Sequence, residues 1–237
     1  AGISLSKDSH PLLQRPVRSP GLADTVYETQ LSQEFPPFLQ HHRIFGEIIL
    51  PSPAYIEMAL TAAEQVFGPG IHRLENLSVQ SALLLPQQAQ TTAQFVLKPA
   101  QNGRAAFEVF SFADDRNEWV KHASGEIAQQ SANSSPSSGH GFRPDEVRAR
   151  CVEEIRGSDY YPRLAELGLE FGPNFQGIEH IWRRDGEALG VGLAQVVGVR
   201  FGGGGQRAEH RGGVRVHVRQ GGDRGVAARR PGALAQG

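Results

Sequence analysis

Cysteine is almost missing from this chain of 237 residues, which contains only Cys151. A single cysteine excludes an internal disulfide framework and any zinc site built from several cysteines. Apolar runs are short, and none approaches the roughly 20 residues that a membrane-spanning helix needs. The first residues, AGISLSKDSHPLL, lack the long apolar core of a signal peptide. These absences favour a soluble protein of a reducing, cytoplasmic compartment.

An excess of charge of either sign is also missing. The chain has 24 lysines and arginines against 25 aspartates and glutamates, a formal net charge of -1. This balance excludes a chain that is basic throughout, so we expect no nucleic-acid partner, and no membrane partner either. The histidine spacing predicts no metal site, and phosphate-binding and serine-hydrolase motifs are absent. The composition, 39% hydrophobic and 21% charged, is that of one large globular domain or two small ones.

Composition divides the chain into four segments. Residues 10–128 mix apolar runs with turn signals and are predicted to form an N-terminal lobe. Residues 129–142 are rich in Ser, Gln, Pro and Gly, which is typical of a linker. Residues 143–197 return to globular patterning as a partial C-terminal lobe. Residues 198–237 contain twelve glycines and eight arginines; we find no strand alternation or helical stripe there and predict a disordered tail.

The strongest helix signal lies at residues 53–67. Ser52 suits the N-cap and Pro53 the first helical position, and Gly68 follows the last apolar residue. An apolar stripe at three- and four-residue spacing is expected to face the core. The residues of that stripe are Ile56, Ala59, Leu60, Ala63 and Phe67.

Strand patterns surround this helix. In the N-terminal lobe they cover residues 25–32, 47–51, 75–86, 91–99, 105–113 and 119–128, with an irregular or partly helical segment at 36–46. In the C-terminal lobe, helices are predicted near 144–156 and 160–167 and strands at 175–184 and 187–196. One mostly apolar helix followed by a run of strands favours an α+β fold in which an antiparallel sheet wraps a buried helix.

Two adjacent histidines, His41 and His42, open the densest group of residues with useful chemistry. His42 precedes Gly46 by four residues, and an apolar strand then leads to Pro51 and the start of the helix. A histidine packed against an apolar wall stays neutral and can accept a proton near neutral pH. A glycine lets a ligand approach the backbone, and a helix N-terminus adds partial positive charge. Because the H-x-x-x-G spacing alone is common, a histidine pair without a catalytic role is the alternative.

Two motifs resemble those of the dehydratase domains of polyketide synthases and the related animal fatty acid synthase. The first is His42-x-x-x-Gly46-x-x-x-x-Pro51, followed by a helix start similar to that family's central helix. The second, GLEFGPNF at residues 168–175, resembles the family's GYxYGPxF element, with Leu169 and Phe171 at its tyrosine positions. The sequences HPLL at 10–13 and DGEALG at 185–190 extend the resemblance over residues 10 to 190.

The resemblance implies a double hot dog fold, in which each lobe wraps an antiparallel sheet around a long helix, with the second hot dog incomplete here. It implies elimination of water from a 3-hydroxyacyl thioester, with His42 as general base. The thioester carbonyl would be bound by backbone N–H groups near Gly46 or the helix start. The resemblance assigns the substrate-binding positions to Gly46, Pro51, Phe171, Gly172 and Pro173, and it leaves His41 as a flanking residue.

The same resemblance implies the partners. The substrate would be carried on the phosphopantetheine of an acyl carrier protein, with no cofactor bound by this domain itself. Neighbouring synthase domains and a homodimer are the other expected contacts.

The family's second catalytic residue, an aspartate in a DxxxQ or DxxxH element, has no clear counterpart. Asp223 is the weak candidate, with Ala227 where Gln or His should stand. A change of reading frame near residue 190, or a degenerate end, would explain this tail. Two other functions therefore stay open, a catalytically inactive dehydratase remnant with a scaffold role and a hot dog thioesterase or isomerase. Without its helix, the second lobe is expected to expose an apolar sheet face.

Overall fold

The computed structural model describes residues 10–129, 144–193 and 213–219, the last as backbone only. The N-terminal lobe contains β1 (Arg15–Val17), β2 (Thr25–Leu31), a 3₁₀ helix (Pro37–His41), β3 (His42–Ile44), β4 (Glu47–Ile48), α1 (Ser52–Phe67), β5 (His72–Val79), β6 (Thr91–Leu97), β7 (Arg104–Ala113) and β8 (Glu118–Gln129). The C-terminal lobe contains α2 (Pro144–Arg150), β9 (Glu153–Arg156), α3 (Gly157–Glu166), β10 (Leu169–Phe171), a 3₁₀ helix (Pro173–Phe175), β11 (Ile178–Arg184), β12 (Glu187–Leu193) and β13 (Gly213–Arg219).

A six-stranded antiparallel sheet forms most of the N-terminal lobe, in the order β1-β2-β6-β7-β8-β5. Along β6, buried side chains alternate with partly exposed ones, because successive residues of a strand point to opposite faces. The buried face packs on α1, which contacts β5 and β8. The predicted arrangement, an antiparallel sheet on one long helix, is therefore confirmed for this lobe.

Helix α1 differs from the prediction in its cap and in its buried face. It begins at Ser52, so Pro51 is the N-cap and no side chain caps the first turn. Of the predicted stripe, Ala59 and Ala63 are fully buried, whereas Ile56 is 37% exposed. Alanine makes up most of the buried face. That face consists of Ala54, Tyr55, Met58, Ala59, Ala62 and Ala63.

Several strand boundaries are shorter than the patterns predicted. The 47–51 segment is a strand only at Glu47–Ile48, and the 75–86 segment only as far as Val79. Leu83 and Leu85 are nevertheless buried, because Leu50 N–H donates to Leu83 O and Leu85 N–H to Ile48 O. Those apolar residues therefore line the core from an extended segment rather than from a sheet strand.

The C-terminal lobe forms a four-stranded antiparallel sheet in the order β13-β12-β11-β9. The helix predicted at 144–156 ends at Arg150 and gives way to β9, and the second helix begins at Gly157 rather than at residue 160. Helix α2 covers one side of the sheet, where Leu189 is buried. Within the described ranges this lobe has helices of 7 and 10 residues and no long central helix.

The prediction that the tail has no strand is wrong at one place. Residues 213–219, GVRVHVR, form β13, which pairs antiparallel with β12 along seven residues. Valine alternates with arginine or histidine in this segment, a period-two pattern hidden in a glycine-rich composition. The linker at 130–142 and the rest of the tail lie outside the described residues, so the segment boundaries stay a prediction.

The described ranges contain neither a membrane-spanning helix nor a metal-binding cluster. No helix in them combines the length and the apolar character needed to cross a bilayer. No group of three His, Cys, Asp or Glu side chains in them is placed to hold a metal ion.

A buried histidine links β7 and β8 within the core. His122 is 4% exposed; its Nδ1–H donates to Ser81 O at 3.2 Å, so its Nε2 accepts from the Ser111 hydroxyl at 2.7 Å. Burial lowers the pKa of His122 below 6.5, while backbone hydrogen bonds oppose that shift. The folded chain therefore holds this ring neutral.

We expect the free energy of unfolding to fall as the pH drops below about 6.5. The unfolded chain takes up the proton that folded His122 refuses, so this contribution is complete above the unfolded pKa and is lost on acidification. Denaturant titrations between about pH 7 and pH 5 of the wild type and of His122→Gln measure it. A smaller acid loss in the variant is expected, whereas parallel curves would contradict the assignment.

Candidate active site

The two motifs meet in a small sheet between the lobes. In the three-stranded sheet β10-β3-β4, β10 of the C-terminal lobe pairs antiparallel with β3, and Phe171 lies opposite His42. Backbone bonds extend the pairing at both ends, since Gly172 N–H donates to His41 O at 2.8 Å and Phe45 N–H to Gly168 O at 2.7 Å. Residues of the C-terminal lobe therefore contact one side of His42.

His42 has one ring nitrogen bonded and one free. Its Nδ1 lies 2.9 Å from Ile49 O, and because a carbonyl can only accept, Nδ1 carries the proton. Nε2 then has its lone pair available, and it has no hydrogen-bond partner among the residues that the structure describes. This is the tautomer that a general base requires.

Phenylalanine rings from the C-terminal lobe pack on His42. Phe171 stacks on the imidazole with centroids 5.2 Å apart, and Phe175 lies at the same distance with a tilt of 58°. Burial lowers the pKa of His42 below 6.5, opposed by backbone hydrogen bonds, of which that to Ile49 O is the first. The imidazole is therefore neutral at physiological pH and half-buried, as the apolar-wall argument from the sequence predicted.

The start of α1 follows closely on Ile49, the residue that holds the imidazole. Pro51 is buried, and its carbonyl accepts from Ala54 N–H at 2.8 Å. Pro53 has no N–H, so Ser52 offers the backbone donor at this helix start, and it has no partner within the described ranges. The short segment between β4 and α1 therefore provides the carbonyl that binds His42 and leads directly to the Ser52 N–H donor.

Gly46 lies at the exposed turn between β3 and β4, beyond Ile44 at the far end of β3 from His42. Its φ is 80° and that of Phe45 is 52°. Two central residues with positive φ are typical of a two-residue hairpin. The turn by itself accounts for glycine here, and a contact of Gly46 with substrate stays a prediction.

A groove of about 960 Å³ lies beside this ribbon, where β3 and β10 face α3. Arg43 and its cross-strand partner Glu170 line it together with His41, but His42 does not, because alternate residues of a strand point to opposite faces. Phe171 and Gly172 also border the groove. His41 also packs its ring on Gly172. Pro173 is exposed in the adjoining 3₁₀ helix.

Sequence reasoning missed some of these contacts. Phe175 belongs to the GLEFGPNF motif, but the sequence assigned it no role. Phe38, which packs on Phe175 with ring centroids 6.4 Å apart, lies in no motif that would indicate this contact. Ile49 acts through its carbonyl, which every residue has, so no side-chain pattern could reveal it. Asp223 lies outside the described residues, and no carboxylate within them bonds to His42.

We expect Gly168→Ala to lower the free energy of unfolding by about 1–3 kcal/mol. Gly168 has φ 83°, and an added Cβ would lie 2.4 Å from the Phe45 ring. Because that ring is 79% exposed and can move aside, backbone strain provides the larger part of the loss and the clash the smaller part. Gly186→Ala is the matched control, because Gly186 has φ 76° with nothing near its Cβ position. Denaturant unfolding of both variants isolates the clash, and equal losses would show that this packing contributes nothing.

Comparisons with known proteins identify the family of this chain. The family described as "Polyketide synthase dehydratase domain" matches residues 10–112, and that described as "Polyketide synthase dehydratase N-terminal domain" matches residues 139–201. The chain belongs to the polyketide synthase dehydratase domain family. The α+β fold, an antiparallel sheet wrapped on a long helix, is accordingly the hot dog fold of that family.

Relatives and solved structures of this dehydratase domain are numerous. Polyketide synthase GfsE of Streptomyces halstedii is 34% identical over 182 residues, and erythronolide synthase EryA2 of Saccharopolyspora erythraea 32% over 180. These matches include 75% and 74% of the chain, which spans only 5% of each synthase. The dehydratase domain from the CurF module of curacin polyketide synthase is 28% identical with a TM-score of 0.70, covering 78% of this chain and 66% of that domain.

Proposed function

We propose that this dehydratase domain eliminates water from a 3-hydroxyacyl thioester held on an acyl carrier protein, giving a 2-enoyl thioester. The observation that carries the proposal is the state of His42, whose Nδ1 is bonded to Ile49 O while Nε2 has no partner in the part of the chain that the structure describes. A neutral imidazole whose Nε2 lone pair is not engaged by a described residue is suited to remove the weakly acidic proton next to a thioester carbonyl.

In the proposed reaction, removal of the C2 proton is coupled to loss of the C3 hydroxyl. Nε2 of His42 takes the proton from C2 and the C2–H electrons form the C2–C3 double bond. The C3–O bond breaks with its electron pair on the hydroxyl, which leaves as water with a proton donated by a general acid, for which Asp223 is the candidate from the sequence. Negative charge develops on the thioester oxygen, which the free N–H of Ser52 at the positive end of α1 would stabilise. Pro51, Phe171, Gly172 and Pro173 would line the acyl chain in this scheme.

The partners follow from the same proposal. The relatives are polyketide synthases far longer than this chain, which supports an arrangement with neighbouring synthase domains. A solved dehydratase domain of PpsC from Mycobacterium tuberculosis, 25% identical with a TM-score of 0.63, is in complex with C12:1-CoA. Coenzyme A shares its pantetheine with the carrier protein, so this likeness supports a tethered acyl thioester. We propose no cofactor for the domain itself, and assembly as a homodimer.

A second candidate function is a half-site that binds acyl thioesters without completing the reaction. The observation in its favour is that the described residues provide no carboxylate at His42, although the hydroxyl is a poor leaving group without an acid. In that case His42 would exchange the C2 proton but release no water. The domain would then act as a scaffold in its synthase.

One experiment separates these functions. The full chain is incubated in D₂O with a 3-hydroxyacyl carrier-protein thioester, and the acyl group is analysed by mass spectrometry. Loss of water supports the dehydratase, and deuterium at C2 without loss of water supports the half-site. An unchanged acyl group overturns catalysis by His42, and release of the free acid indicates a thioesterase.

A further inference from the structure

Phe175 contacts His42 although it is far from it in the chain. The ring centroids of Phe175 and His42 are 5.2 Å apart, and Phe171 lies at 5.2 Å in a stacked arrangement. The two phenylalanine rings are themselves 6.4 Å apart. The imidazole is therefore in contact with two aromatic rings, which limits its rotation and removes water from part of its surface.

The backbone fixes Phe175 relative to the residue before His42. Phe175 N–H donates to Gly172 O at 2.9 Å, and Gly172 N–H donates to His41 O at 2.8 Å. The ring of Phe175 also packs on Phe38, from the 3₁₀ helix that leads into β3, at 6.4 Å. Phe175 is thus held from both lobes at one position beside the imidazole.

We propose that Phe175 is a positioning residue for His42, which together with Phe171 holds the imidazole in the orientation that bonds Nδ1 to Ile49 O and leaves Nε2 free. Its effect on catalysis rests on the proposed function of His42 as the base. Its effect on the ring does not, because orientation and protonation can be measured without turnover.

The charged side chains near His42 do not explain its lowered pKa. Arg43 and Glu170 pair across β3 and β10 on the face opposite His42, since alternate residues point to opposite sides. Glu47 on β4 is exposed, and His41 faces the groove. Burial is the leading cause of the lowered pKa of His42, and backbone hydrogen bonds oppose it.

The test is an NMR titration of the full chain with ¹⁵N-labelled histidine. In the wild type we expect the tautomer with the proton on Nδ1 and a titration midpoint below 6.5. In Phe175→Ala the midpoint moves up toward the ordinary value and the tautomers become mixed, because water reaches a ring that is free to turn. Phe175→Leu, which keeps apolar cover but loses the ring, gives a smaller rise.

Phe67→Leu is the matched control, since Phe67 packs on His72 at 6.2 Å and should leave the His42 signals unchanged. If Phe175→Ala does not fold, Phe175→Leu decides the test by its midpoint. A folded variant with the wild-type midpoint and a single tautomer overturns the positioning role.

Turnover gives a second, separable readout. In Phe175→Ala we expect kcat to fall about tenfold with KM within a few-fold of wild type, and the acid limb of the pH profile to move to higher pH. If the wild type shows no turnover but the NMR changes occur, the proposed function fails and the positioning role stands. If turnover occurs and the variant matches the wild type in kcat and pH profile, the role in catalysis is overturned.

Discussion

Replacing His42 by glutamine lowers the rate of C2 proton removal from the acyl thioester by at least about 100-fold. Glutamine has similar length and polarity but no group that accepts a proton near neutral pH. The wild-type ring is neutral, with Nδ1 bonded to Ile49 O and the other nitrogen without a partner among the described residues, so the variant removes the base together with the ring contacts to Phe171 and Phe175. The rate is measured as water loss or as deuterium incorporation at C2.

His41→Gln is the matched control for that result. His41 is adjacent in sequence but lines the groove on the other face of β3, so its replacement should leave the rate within a few-fold of wild type. Circular dichroism and the unfolding midpoint verify that both variants are folded. A rate that falls with His41→Gln and not with His42→Gln would assign the chemistry to the groove and reject the proposed base.

Replacing Phe107 by alanine reduces the free energy of unfolding by about 3–5 kcal/mol. Phe107 and Phe95 stack with centroids 5.0 Å apart and an interplanar angle of 15°, and both are fully buried between the sheet and α1. Truncation removes a large apolar contact and leaves a cavity that rigid neighbouring strands fill poorly. A loss of this size is a large part of the stability of a typical domain.

Phe112→Ala on the same strand is the control for strand propensity and loss of an aromatic ring. Phe112 pairs edge-on with Trp119 at 5.2 Å, but it is only half-buried and Trp119 is 44% exposed. We therefore expect a clearly smaller loss in urea titrations. Equal losses for Phe107 and Phe112 would show that the stacked pair is not the centre of the core.

The helix and most strands were predictable because their signals are local. The apolar content of residues 53–67 and the glycine after Phe67 predicted α1 almost to the residue. The exposure of Ile56 was not predictable, because the sheet decides which side of a helix with many small residues it covers. The strand at Gly213–Arg219 was missed because alternating valines were outweighed by the composition around them.

The sequence by itself determined the family and the long helix, since motifs and helix signals depend on residue type and separation along the chain, and through the family resemblance it indicated His42 as the candidate base. Only the tertiary structure decided which nitrogen of His42 is bonded and which rings pack on it. Those properties arise from the Ile49 carbonyl and from Phe171 and Phe175. They come from segments far apart in sequence that meet where β10 pairs with β3, and side-chain orientation at such a meeting point is set by packing rather than by local pattern.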